Sequence, residues 1–202
     1  MNGFHSKVVK RSAYFTLENF LQYKSQSWMK TGHQYNCQSG SSFSRSFTST
    51  IPVANRRKGL MNTQNLEKMV RRICRNRFSG VFPSNHLPLW RSKCLLFIAN
   101  TEDCTRKGEH WISIYIDEDA NGEYFDSFGQ PPNTIFKNYM DYNCKTWIYN
   151  GRKLQSVISD VCGHYCVFYC AYRCKGFSMQ SIVSWFTTDT TLNDSLVYSF
   201  AS

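Results

Sequence analysis

Three polar residues stand where apolar ones are expected. His110 heads an alternating run, Asp126 sits inside the aromatic stretch YFDSFG, and Cys162 lies where a polar loop meets a run rich in Phe, Tyr and Cys. A cysteine attacks a carbonyl as its thiolate, and a neighbouring imidazole must hold it in that form and then protonate the leaving group. The imidazole in turn needs an acceptor on its other nitrogen, which fixes its tautomer and direction. Cys162 opens a segment read as a buried helix, and a helix N-terminus is electropositive with unpartnered amides. The thiolate is favoured there. The backbone amide of Cys162 and the side-chain amide of Gln155, seven residues upstream, are the donors expected to receive an oxyanion. Gly163 lets the backbone approach whatever occupies that helix end. Each residue alone has a bland reading: His110 as a satisfied structural histidine, Asp126 as a turn residue, Cys162 as one more core cysteine. Only their joint occurrence points to nucleophilic catalysis.

These residues need elements to bring them together. His110 to Ile116 alternates strictly, with Ile112, Ile114 and Ile116 on one side, which is the pattern of a strand. Glu123 to Phe128 reads as its hairpin partner, so contact between His110 and Asp126 across the pair is geometrically cheap. Leu66, Met69, Val70 and Ile73 predict an amphipathic helix. Val81 to Leu89 reads as a Pro-punctuated loop, Cys94 to Ala99 as a buried strand, and Ile135 to Met140 as a helix after the GQPPN break. Thr146 to Tyr149 reads as a strand ended by the Asn150-Gly151 turn signal. Gly176 closes the central helix, Ser178 caps another through Phe186, and Thr191 to Phe200 is the last helical segment. Strands and helices mix without βαβ alternation, so the class is α+β.

The charge divides the chain. Residues 1–60 carry nine Lys/Arg against Glu18, a net of +8, while residues 61–202 carry a net of +2. The first 60 residues read as a basic, largely disordered extension with a low-complexity Ser39 to Thr50 tract, and residues 61–202 as the domain. No apolar run is long enough to span a membrane, and no secretory signal is evident, so an intracellular protein is expected. The nine cysteines are an odd count, which with no signal argues against a disulfide framework. They also lack paired zinc-knuckle spacing, so no metal site is expected. Cys166 and Cys170 read as packing residues on the helix that Cys162 begins. His164 is too close to Cys162 along that helix to act as its base, and is read as helix-start packing or a substrate-side contact.

The order His110-Trp111, Asp126, Gln155, Cys162-Gly163, carried by GEHWISIYI, YFDSFG and LQSVISDVCGHYC, resembles the adenovirus-type cysteine proteases, most nearly those of Maverick/Polinton DNA transposons. The resemblance covers about Met61 to Phe200. It implies an α+β fold with a central mixed sheet and the cysteine at the start of a buried helix. It also implies a Cys162–His110–Asp126 triad, with Asp126 where the adenovirus enzymes carry Glu, and Gln155 in the oxyanion hole. Trp111 and Gly163 would then lie in the substrate cleft. Papain-like enzymes place Gln and Cys first, which this order does not. The substrates implied are Gly-rich sites in structural precursors of a virus or mobile element. The proteases of SUMO and other ubiquitin-like modifiers share His-Trp, Asp, Gln and Cys-Gly, but their Gln-Pro-Asn run is missing after Gln155. A domesticated, non-catalytic binding module is the reading from a different class. The chemistry requires no cofactor. The resemblance implies DNA and peptide activators, with Cys144 at the place of a cysteine that pairs with such a peptide, and the basic extension as the route to nucleic acid. A monomer is expected, in nucleus, cytoplasm or virion.

Overall fold

The computed structural model describes residues 61–91, 93–105 and 110–201. The readings made for residues 1–60 lie outside these. Five strands form one mixed sheet in sequence order: β1 (Gly80–Phe82), β2 (Leu95–Asn100), β3 (Trp111–Ile116), β4 (Asn121–Phe125) and β5 (Thr146–Tyr149). β2, β3 and β4 are antiparallel neighbours, while β1 joins β2 and β5 joins β4 in parallel. The helices are α1 (Thr63–Cys74), α2 (Thr134–Asn143), α3 (Cys162–Arg173), α4 (Met179–Ser184) and α5 (Thr190–Phe200).

Every residue of β2 is buried because helices cover both faces of the sheet. On one face Phe97, Ile112, Ile114 and Tyr124 pack with Phe136 and Met140 of α2. On the other lies α3, where Tyr169 stacks on Phe125 at 4.6 Å and the Cys170 thiol meets Ser113. α3 is buried from Cys162 to Tyr172, enclosed by the sheet, α1, α4 and α5, which explains why its sequence is apolar all round. Its cysteines at 166 and 170 are core residues.

Sequence and structure differ at several points. β1 overlaps the start of the stretch read as a loop: its three residues pair with Phe97, Ile98 and Ala99 before Pro83 ends the run. The buried stripe of α1 is Leu66, Val70 and Cys74, with Ile73 exposed, so the helix is rotated toward its i, i+4 edge. Cys74 and Cys174 form a disulfide with Cα atoms 5.7 Å apart, against the expectation from the odd count. The pairing ties the C-terminal end of α1 to the C-cap of α3, two ends that packing already brings together.

Candidate active site

The hairpin β3–β4 positions the imidazole of His110. His110 immediately precedes β3, Asp126 immediately follows β4, and their antiparallel pairing brings the two side chains together with His110 Nε2 3.0 Å from Asp126 Oδ1. The carboxylate can only accept, so Nε2 carries the hydrogen and Nδ1 is left for the thiol. Asp126 Oδ1 also accepts from Phe128 N at 2.7 Å. The Phe128 ring lies beside the imidazole at 5.0 Å.

Cys162 is the first residue of α3 and keeps 9% exposure. It lines the same cleft as His110 and is near enough to bear on the proton affinity of the imidazole. Burial opposes a charge on His110, but the hydrogen bond to Asp126 and the influence of Cys162 push the imidazole up to about 9. The outcome is an imidazole that holds its proton near neutral pH, lining the same cleft as the residue that begins α3.

Gln155 is buried to 1% exposure, and its side chain is held at both ends, by Ser127 Oγ at 2.7 Å and Ser159 O at 2.7 Å. His110, Trp111, Gln155 and Cys162 all line one open cleft of about 620 Å³, whose walls also include Met61 and Phe82. Gly163 does not line that cleft. A side chain there would meet Met61 Cβ at 3.1 Å and Leu66 Cδ2 at 3.2 Å, so its role is to let the start of α1 close on the start of α3. His164 is packing as well: it stacks on Tyr198 at 5.1 Å, its Nδ1 has no hydrogen-bond partner, and burial drives its pKa down to about 4. Cys144 is half-buried with a free thiol that burial pushes up to about 11.

Two residues of the site were not singled out from sequence. Asn150, read only as a turn former, is buried and bonds the backbone of Asp126 in both directions, accepting from its N at 2.8 Å and donating to its O at 2.7 Å. Ser127, next to Asp126, bonds Gln155. Among the described residues no group of three or more His, Cys, Asp or Glu could hold a metal ion, and no helix is long and apolar enough to cross a membrane.

This architecture, a mixed sheet backed by a buried helix with cysteine at its mouth, is an α+β fold that recurs in a protease of known structure. Among solved structures it is shared with the ASFV pS273R protease, with a TM-score of 0.51, 18% identity, and 72% of this chain and 69% of that chain covered. A structure of ChlaDub1 from Chlamydia trachomatis is also similar, with a TM-score of 0.41, 14% identity, and 54% and 58% of the two chains covered. No known family model and no curated protein matches the sequence.

Proposed function

We propose that the chain is a cysteine peptidase in which Cys162 is the nucleophile, His110 the general base and acid, Asp126 the residue that orients it, and Gln155 an oxyanion donor. The observation that carries this reading is that the hydrogen-bonded Asp126–His110 pair and Cys162, first residue of α3, converge on one open cleft with Gln155. The thiolate would add to a scissile carbonyl, and the negative oxygen would be received by the Cys162 amide and the Gln155 side chain. His110, protonated, would then release the amine, and water activated by the neutral imidazole would hydrolyse the thioester.

The substrate we favour is a Gly-rich site in a structural precursor of a virus or mobile element, because Gln155 is followed by Ser156 and Val157 and not by the Pro-Asn of the SUMO type. One observation supports a modifier-specific protease as the second reading. Val157 and Ile158, each 72% exposed on the loop beside the cleft, offer apolar surface to a folded substrate.

Alkylation followed by peptide mapping tests the mechanism. Iodoacetamide near neutral pH should modify Cys162 fastest, ahead of exposed Cys94 and Cys104, whose sulfurs meet Tyr115 and Asn85 and not an imidazole. Burial pushes the Cys166 thiol well above its usual range and Cys170 to about 12. Equal labelling of Cys162 and Cys166 would sink the reading. Cleavage of a peptide library, run beside SUMO- and ubiquitin-based probes, separates the two substrate classes.

A further inference from the structure

We propose that Ser127 is the positioning residue of the oxyanion hole: its hydroxyl holds the Gln155 side chain so that an amide hydrogen is presented to the cleft. This rests on the reading of Gln155 as an oxyanion donor. The two ends of that amide are assigned by their partners. The Ser159 carbonyl can only accept, so the end 2.7 Å from it is Nε2. The other end is then the carbonyl oxygen, and Ser127 Oγ, 2.7 Å away, must be donating to it. Nε2 carries two hydrogens; Ser159 takes one, and the second remains for a substrate oxygen in the cleft that Gln155 and Cys162 both line. Without the Ser127 hydroxyl, a buried carbonyl oxygen is left unpaired and nothing at that end resists rotation of the amide.

The backbone around Ser127 is built for this task. Its carbonyl accepts from both Leu154 N at 2.8 Å and Gln155 N at 3.0 Å, so one residue fixes the main chain and the side chain of Gln155. The turn that carries it is pressed onto the segment leading to Gln155. Gly129 has a φ of +69°, and a Cβ there would come within 2.5 Å of the Arg152 backbone. Ser127 also follows Asp126 directly, so the turn after β4 orients the base through one residue and the oxyanion donor through the next. The two halves of the catalytic step are thereby held in mutual register by a single turn.

The test uses the full chain and a Gly-Gly-aminomethylcoumarin reporter. Ser127→Ala should lower kcat by about 10- to 100-fold, the scale of a misaligned oxyanion donor, with KM little changed. Iodoacetamide alkylation of Cys162 should keep its wild-type rate, because displacement at a saturated carbon develops no oxyanion. In a Gln155→Ala background the same substitution should cost nothing further. Ser127→Thr and Ser127→Val, nearly equal in shape, keep the comparison informative if the Ala variant folds poorly: Thr should retain turnover and Val lose it. Unchanged hydrolysis in Ser127→Ala, equal losses with and without Gln155, alkylation falling together with hydrolysis, or equal Thr and Val activities would each overturn the proposal. A wild-type chain that is alkylated at Cys162 yet leaves the reporter intact would instead overturn the peptidase reading, and Ser127's role with it.

Discussion

His110 sets the proton inventory of the site, and its environment gives that inventory a sign. Burial lowers its affinity for a proton, but Asp126 and Cys162 overcome this and raise the pKa from 6.5 to about 9. A raised pKa contributes stability that is fully present below the unfolded value of 6.5 and lost as pH rises through about 9. In the proposed mechanism turnover follows the same limb, because the imidazolium must be present to protonate the leaving amine. Reporter turnover is therefore expected to decline as pH passes about 9. Asp126→Asn removes the carboxylate that raises the value while leaving the burial that lowers it. The alkaline limb should then move toward acid by about 1–3 pH units, the usual effect of one close opposite charge. A pH–rate profile decides this: a limb that stays in place would mean that Asp126 does not control the imidazole.

At the scale of elements, the reading from sequence succeeded where chemistry followed periodicity. The alternation of β3 made the His110–Asp126 hairpin legible, and the polar-to-apolar change at Cys162 located the mouth of α3. It failed where partners were distant or ambiguous. Nothing local to Asn150 reveals that its amide pairs with Asp126, since the same residue before glycine also signals a turn. Gly163 looked like a cleft residue because only the packed structure places Met61 and Leu66 against it. β1 is too short to show a period of its own and depends on β2 for its identity. The Cys74–Cys174 pair was hidden by a separation of 100 residues and by seven other cysteines. That separation now makes a prediction. Closing so long a loop restricts the unfolded chain, and the entropic estimate for a loop of this size is about 4.7 kcal/mol as an upper value. Reduction with a phosphine should lower the urea midpoint accordingly, with Cys74→Ser reproducing the shift. Because the disulfide lies at the end of α3 opposite Cys162, reporter turnover in the absence of urea should survive reduction. An unchanged midpoint would show that α1 and α3 hold together by packing alone.

For the whole molecule, charge and catalysis occupy different parts of the chain. The net charge is +10, of which residues 1–60 supply +8. The residues of the proposed peptidase site lie in the remainder, whose net charge of +2 gives little long-range attraction for a polyanion. We therefore propose that any affinity for nucleic acid belongs to residues 1–60. Binding of this kind is driven by counterion release, and each neutralised phosphate contributes about −0.9 to the slope of log K against log salt on duplex DNA. The nine Lys/Arg of that segment set a limit of about −8 for that slope. Fluorescence anisotropy with a random-sequence duplex, titrated at several salt concentrations, should show steep salt dependence for the full chain. A fragment of residues 61–202 should show a slope near zero and much weaker binding, while cleaving the Gly-Gly reporter at a rate similar to the full chain. If the fragment bound DNA with the affinity and slope of the full chain, the anionic partner would have to be met by the domain's own surface, and the extension would serve another purpose.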